Sequence, residues 1–419
     1  MILRIKYRMV LALALSLAAV GCSKGDFDPI PGSSERGGSS SRGPVEQQRH
    51  VVIMVSGGHN SLSNYLSEDL EDIAAGYVPV GTAASTNALV ILSRLPVNYL
   101  STTSAPVLYR MYKDAQGTVV RDTLRRFTKE DRLFGGDILH EALLTVRDRL
   151  PAKSYGMVVS SHASGWVPPG YYESPSTYER RGKGLMSIGQ DKDDNVSVEM
   201  DLCDFARALP FTLDYTILDC CLSGGVEVAW QLRGKSSLVA FTQTETMADG
   251  FDYKTLMARL LAEPTPNPRG VCEDFYNYYM AKSGVNQSAT ISLVDTRKMD
   301  NLALVCAQLF DAYRTQINGL NGSAVQGFFR YDRHYFYDLQ DILVKAGITS
   351  VAQETLQNAL DECILYKAAT PWFMSGTMYG FKISNYCGLS MYLPSMGTAY
   401  LNNYYTTHIA WNEATKLVE

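Results

Sequence analysis

Short apolar runs with no polar alternation recur along this chain, and they constrain its fold more than any other feature. HVVIMVS (50–56), TNALVILSRL (86–95), YGMVVSS (155–161), DYTILD (214–219) and SSLVAFTQ (236–243) are of this kind, and ATISLVDT (289–296) reads as a sixth strand. A strand with one wet face alternates apolar and polar residues. A run that stays apolar is a strand buried on both faces, the condition of a mostly parallel sheet covered by helices. Helical spacing fills the gaps. SLSNYLSEDLEDIAAG carries Leu62, Tyr65, Leu66, Leu70 and Ile73 on one face, and GGDILHEALLTVRDRLP carries Ile138, Leu139, Leu143, Val146 and Leu150 before Pro151 ends it. Strand and helix alternate in this way through residues 50–318, which predicts a single α/β domain with a central mostly parallel sheet flanked by helices.

VLYRMYKD and TVVRDTLRRF, on either side of AQG, predict a hairpin. Pro168 to Asn195 is polar and aperiodic, a long loop of the kind that carries function. SVEMDLCDFARALP predicts a helix ending at Pro210. Residues 319–419 read as a C-terminal α/β extension. It holds the helices FYDLQDILVKAG and SVAQETLQNALDECILYKAA, strand candidates WFMSGTMYGFKIS and CGLSMYLP, and a final helix NNYYTTHIAWNEATKLV.

The N-terminus is of a different character. MILRIKYR has three cations and no acid, and MVLALALSLAAV is an apolar stretch of twelve residues, too short to span a bilayer. Residues 1–21 therefore predict a secretory signal, and Ala19-Val20-Gly21-Cys22 resembles a bacterial lipobox in which Cys22 carries the lipid. Residues 22–48, rich in Gly, Ser, Pro and charge, predict a flexible tether to a domain spanning 49–419. The expected location is the cell envelope, at the outer membrane or cell surface, with the lipid as the only membrane contact. The net charge of −5 has no basic excess, so nucleic acid is not an expected partner.

Chemistry points to two strand ends. In open α/β sheets, sites form at the carboxyl ends of parallel strands. His162 stands two residues beyond MVVS, and Cys221 two beyond TILD. If the strands are neighbours, an imidazole and a thiol share one rim, the arrangement of a Cys–His dyad. The helix after LSGG would aim its N-terminus near Cys221 and favour thiolate. His59 also follows a strand and is the other histidine able to reach that rim; His50, His140, His334 and His408 read as structural or surface residues. The competing readings are a loop histidine beside a half-buried thiol pair, or a Cys220–Cys221 disulfide. Without C-x-x-C spacing, zinc is not expected.

SSHASGW resembles the Ser/Asp-His-Gly-x-Gly-Trp box of clostripain-like cysteine peptidases, and LDCCLSGGVEVAWQL their Asp-Ala-Cys-Leu-x-x-x-x-Glu-x-Ala box. TQTETMADGFDY and CGLSMYLP resemble two further segments in the family's order, so the likeness spans roughly residues 50–395. It implies a caspase-like fold and endopeptidase activity after Arg or Lys on protein or peptide substrates. His162 and Cys221 would be the dyad, with the backbone N–H groups of Ala163 and Cys221 as oxyanion hole. Asp219 would hold the substrate's basic side chain, with Asp249 or Glu245 as a second acid. Arg180, Arg181 and Lys183 are the implied self-cleavage sites. No cofactor is required. Some relatives use calcium, and the acidic run at 191–194 is the candidate ligand set, against the reading of solvated charge. A monomer is expected. Ala163 departs from the family's glycine, and a positive φ there would cost on the order of 1 kcal/mol. That departure keeps open an alternative, a non-catalytic peptide- or glycan-binding surface lipoprotein on a decayed peptidase fold.

Overall fold

The computed structural model describes residues 49–95, 104–168, 171, 188–193, 196–261, 265–331 and 334–419. The signal, the tether, Cys22, and the basic residues Arg180, Arg181 and Lys183 lie outside them. The chain divides into residues 1–40 and 41–419, and the architecture below belongs to the second unit.

Its strands are β1 (Val51–Gly57), β2 (Ala88–Arg94), β3 (Val107–Lys113), β4 (Val119–Arg126), β5 (Tyr155–Ser160), β6 (Ile188–Asp193), β7 (Val196–Met200), β8 (Leu213–Asp219), β9 (Ser236–Phe241), β10 (Thr290–Asp295), β11 (Tyr337–Asp338), β12 (Ile364–Ala369), β13 (Trp372–Phe373), β14 (Phe381–Lys382) and β15 (Ser390–Met391). Among the described residues nine of them form one sheet in the order β12-β10-β9-β8-β5-β1-β2-β3-β4. The inner five, β2-β1-β5-β8-β9, are parallel. Both flanks are antiparallel.

The apolar runs do what their lack of alternation predicts. In β1, Val51, Ile53 and Val55 enter one hydrophobic core, while Val52 and Met54 enter the core on the opposite face. All five are at most 1% exposed, each contributing roughly 1.5–3 kcal/mol by burial. Helix α1 (Ser63–Ala75) buries Leu70 and Ile73 against the second core, and helix α2 (Gly136–Arg149) buries Leu139, Leu143 and Val146 against the first.

Three segments differ from the sequence expectation. β10 is antiparallel to β9, because two successive helices, Tyr253–Leu261 and Pro268–Met280, separate them; one returns the chain and the next carries it back. Ile364–Ala369, read as the end of a helix, is instead edge strand β12 pairing β10. Residues 197–200, also read as helical, belong to β7 in a hairpin with β6; the helix begins at Leu202, where the Asp201 carboxylate caps the Cys203 N–H at 2.6 Å.

The C-terminal segment is built into the first core and braces the loop after β8. The Ser390 N–H donates to the Gly224 carbonyl at 2.9 Å, and the Tyr392 N–H to Glu227 Oε1 at 2.9 Å. Trp166, from the loop after β5, packs edge-on against Tyr392 and Tyr405 at centroid distances of 4.7 and 5.0 Å. The histidine loop, the cysteine loop and the C-terminus therefore share one aromatic anchor. Glu227 lies at its centre, also accepting from the Tyr405 hydroxyl at 2.8 Å. Burial pushes its carboxyl up to about 7. A raised folded-state pKa means that the stability tied to the neutral carboxyl is complete below the ordinary glutamate range and is lost as pH climbs through 7. Unfolding free energy should fall by on the order of 3 kcal/mol across that window. Glu227→Gln should flatten this dependence, as read by urea unfolding at pH 5 and pH 8.

Among the described residues no helix is long and apolar enough to cross a membrane, and no three His, Cys, Asp or Glu side chains are grouped to hold a metal.

Candidate active site

β5 and β8 are parallel neighbours with Ser160 opposite Asp219. His162 and Cys221 each lie two residues further on, so both emerge on one carboxyl rim, flanked by the loop that leaves β1. The two loops touch. A Cβ at Gly165 would meet the Leu222 carbonyl at 2.4 Å, which with a φ of 61° makes glycine obligatory in the SSHASGW turn. Leu222 itself takes a φ of 57°, strained for a branched side chain, and its N–H is held by the Thr244 carbonyl at 2.9 Å. This kink turns the chain directly after Cys221.

Cys220 is buried, its thiol 3.6 Å from the Val159 carbonyl, and faces the core. The seven described cysteines are free thiols, so Cys220 and Cys221 are not bridged. Cys221 is half-buried. Its sulfur accepts the Thr246 N–H at 3.4 Å and lies 3.9 Å from the Thr246 carbonyl. Burial, and next the Glu245 carboxylate, push its thiol up to about 12. The thiol is neutral here, and the expected help from the following helix is outweighed; that helix, Val226–Gln231, starts five residues later and carries Glu227 in its first turn.

His162 is held at its carbonyl by the Gly189 N–H at 2.8 Å, and its Nε2 is 2.8 Å from the Ser61 hydroxyl. Burial lowers its pKa. Imidazole and thiol thus share a rim but bond different partners. His59 is not a second candidate for the thiol's partner: its ring is buried with Nε2 on the Ser104 hydroxyl at 2.9 Å. Ala163, next to His162, bridges Ile188 and has no positive φ, so the strain considered for this departure from glycine is absent.

Asp219 is buried beneath the rim. Its carboxylate accepts from the Tyr253 hydroxyl at 2.6 Å, the Ser160 hydroxyl at 3.4 Å and the Phe251 backbone. Gly250, with a φ of 58°, passes so close that a Cβ would sit 2.4 Å from Asp219 Oδ2. Burial pushes the Asp219 carboxyl up to about 6. Asp249 adds a second, more exposed acid, paired with Lys282 at 2.5 Å. A third acid, Asp69 on α1, gave no signal in the sequence beyond one charge on a helix face. Burial and then the Asp219 charge push it up to about 8.

Glu245 is not open to a ligand in this arrangement. Arg330, from the C-terminal segment, stands 2.9 Å from its carboxylate, and both charges are felt at Cys221. Glu245→Gln should therefore let Cys221 alkylate with iodoacetamide at lower pH than the parent chain. An unchanged pH profile of labelling would remove Glu245 from the thiol's surroundings. Asp191, the first acid of the proposed calcium run, is committed as well. It is fully buried, pairs with the equally buried Arg94, and accepts the N–H groups of His59 at 3.1 Å and Leu133 at 2.7 Å. Burial with a cation makes it a structural tie, not a calcium ligand.

Comparison with known proteins follows the same lines. The sequence profile of the clostripain family, Peptidase C11, matches residues 54–416. Curated protein sequences contain no match. Among solved structures, an inactive zymogen C11 protease from Parabacteroides distasonis is 26% identical with a TM-score of 0.72, over 89% of this chain and 99% of that one. A secreted C11 cysteine protease from Bacteroides thetaiotaomicron, in complex with an irreversible peptide inhibitor, is 22% identical with a TM-score of 0.72, over 88% and 99% of the two chains. At that identity the second likeness speaks to the caspase-like fold alone.

Proposed function

The chain belongs to the clostripain family of cysteine peptidases, and on that footing we propose that it is an exported, lipid-anchored endopeptidase cleaving after Arg or Lys through Cys221 and His162. The observation that carries this reading is the register of β5 and β8, which delivers imidazole and thiol to one rim above a buried carboxylate. Cys221 attacks the scissile carbonyl and forms a thioester. His162 protonates the leaving amine and then assists water in deacylation. The N–H groups of Ala163 and Cys221 receive the oxyanion. Asp219, supported by Asp249, pairs with the substrate's cation, while Glu245 stays with Arg330.

The described arrangement is a resting one: the thiol is neutral and on Thr246. A related chain has been solved as an inactive zymogen, and the same state suits this protein before maturation. Cleavage at Arg180, Arg181 or Lys183 is the maturation step we assign, and N-terminal sequencing that finds an uncut chain in active enzyme would remove it. The charged and apolar N-terminal segment supports export here, with Cys22 as the lipidated residue, residues 22–48 as the tether and 49–419 as the peptidase domain. Cys22→Ser should stop incorporation of labelled palmitate in the producing cells. We take the domain to act as a monomer, and to need no calcium.

Fluorogenic peptides ending in Arg, Lys, Asn, Asp or Leu test the reading directly. Cleavage confined to Arg and Lys is the expected result. Cleavage after another residue would keep the dyad and dismiss Asp219 from the pocket, and no cleavage under reducing conditions, with or without trypsin nicking of the 168–195 loop, would dismiss the catalytic reading.

A further inference from the structure

We propose that Ser61 is the positioning residue for His162, a hydroxyl from the loop after β1 that sets which imidazole nitrogen faces the thiol. This inference rests on the reading of His162 and Cys221 as the catalytic pair. It stands on three neighbouring strands. β1, β5 and β8 are parallel and in register, with Ser56 opposite Ser160 and Ser160 opposite Asp219. Their exit loops carry Ser61, His162 and Cys221 in that order along the rim. The Ser61 hydroxyl lies 2.8 Å from His162 Nε2. With Nε2 so engaged, Nδ1 is the nitrogen left for the thiol and the leaving amine.

The loop holds Ser61 firmly from both sides. The Asn60 side chain donates to the Gln190 carbonyl at 2.9 Å and to the Ser161 hydroxyl at 3.4 Å, and its oxygen accepts the Leu62 N–H at 2.8 Å. The Ser63 hydroxyl closes back on the Asn60 carbonyl at 2.8 Å. Gln190 belongs to β6, whose neighbour Gly189 holds the His162 carbonyl. One piece of backbone thus positions both members of the contact, so the serine meets the ring by construction and not by the chance of a mobile side chain.

A hydroxyl suits this position chemically. Its oxygen accepts the Nε2–H of the neutral ring, which leaves Nδ1 open to take the thiol's proton, and it accepts the same N–H from the imidazolium that protonates the leaving amine, so it follows the ring through both protonation states. A carboxylate in its place would hold the proton on the ring and raise its pKa. Serine orients the imidazole while leaving it a ready acid for the leaving amine, the role that a third group plays in nucleophile–base pairs generally.

The test uses the full-length chain with Ser61→Ala, Ser61→Thr and Ser61→Asp. It reads kcat and KM on an Arg peptide, the pH profile of kcat/KM, and the 15N and 1H signals of the His162 ring. Ser61 is exposed, so the fold should tolerate each change. Ser61→Ala should lower kcat roughly tenfold or more with KM little changed, a part of what a positioned acid–base contributes. Ser61→Thr should restore most of it. Ser61→Asp should move the acidic limb, and the ring's own titration, upward by about one pH unit or more. Ser61→Ala matching the parent chain in kcat and in its His162 signals would overturn the proposal. Lack of turnover by the parent chain, before and after trypsin nicking of the 168–195 loop, would instead sink the catalytic reading; the ring signals then decide the serine's role by themselves, a shift in Ser61→Ala upholding control of the ring and an unchanged spectrum refuting it.

Discussion

Cys221→Ala should reduce turnover of Arg and Lys peptides by at least about 10⁴-fold while leaving the fold intact. Losses of that size follow when the nucleophile of a covalent mechanism is removed and only binding and oxyanion contacts remain. The structural cost is small, because the side chain is half-buried and its bonds are those to Thr246. KM, or the affinity for a basic peptide, should change little, since the pocket acids lie beneath the rim. His162→Ala should lose a comparable factor. The double variant should be no worse than Cys221→Ala alone, because two residues that act as a unit are not additive. Steady-state kinetics with active-site-free protein quantified by absorbance checks this. A tenth or more of parental activity surviving in Cys221→Ala would place the nucleophile on one of the other six described thiols.

Asp219→Asn should lower kcat/KM for Arg peptides by on the order of 10²–10³-fold, with little effect on peptides of neutral residues. Truncating one partner of a buried charge pair costs about 2–5 kcal/mol, much of it from the charge left unpaired. The sign of the pH dependence follows from the same burial. The Asp219 carboxyl is pushed up to about 6 and that of Asp69 up to about 8, so the pocket gains negative charge as pH rises across that span. KM for an Arg peptide should fall as pH increases from 5 to 8.5, and the lower part of that fall should vanish in Asp219→Asn. Stability runs the other way. A carboxyl whose folded pKa is raised contributes fully only below the ordinary aspartate range, and that contribution is gone above pH 6. Asp219→Asn should therefore not destabilise the fold at pH 8. A variant that unfolds more readily at pH 8 would mean that the ionised carboxylate is chiefly a structural acceptor for Tyr253 and Ser160.

The sheet was legible because burial on both faces leaves a mark within a few residues: β1, β5 and β8 are buried at every central position and mostly apolar there. The rim was legible because His162 and Cys221 keep the same offset from their strands, and the register preserves it. What escaped were partners distant in the chain. Ser61 meets His162 across 101 residues, and Arg94 meets Asp191 across 97. Arg330 meets Glu245 from the C-terminal segment. Nothing local distinguishes Ser61 from Ser63, or Asp191 from a solvated acid, since each acquires its role only from a neighbour that the fold supplies. Ile364–Ala369 was misread for a related reason. It continues the spacing of the preceding helix, and pairing with β10, not local propensity, draws it into the sheet. Ala163 shows the converse: its departure from glycine suggested strain, but the backbone there takes no positive φ.

Cys221, with His162 on the same rim, is proposed as the nucleophile of a site selecting basic residues. Labelling the full-length chain with an Arg peptide chloromethyl ketone, then mapping the adduct by mass spectrometry, tests it most directly. One adduct is expected, on Cys221, formed far more slowly by His162→Ala and suppressed by a competing Arg peptide. An adduct on another cysteine, or labelling of Cys221 indifferent to His162 and to the peptide's basic residue, would contradict it.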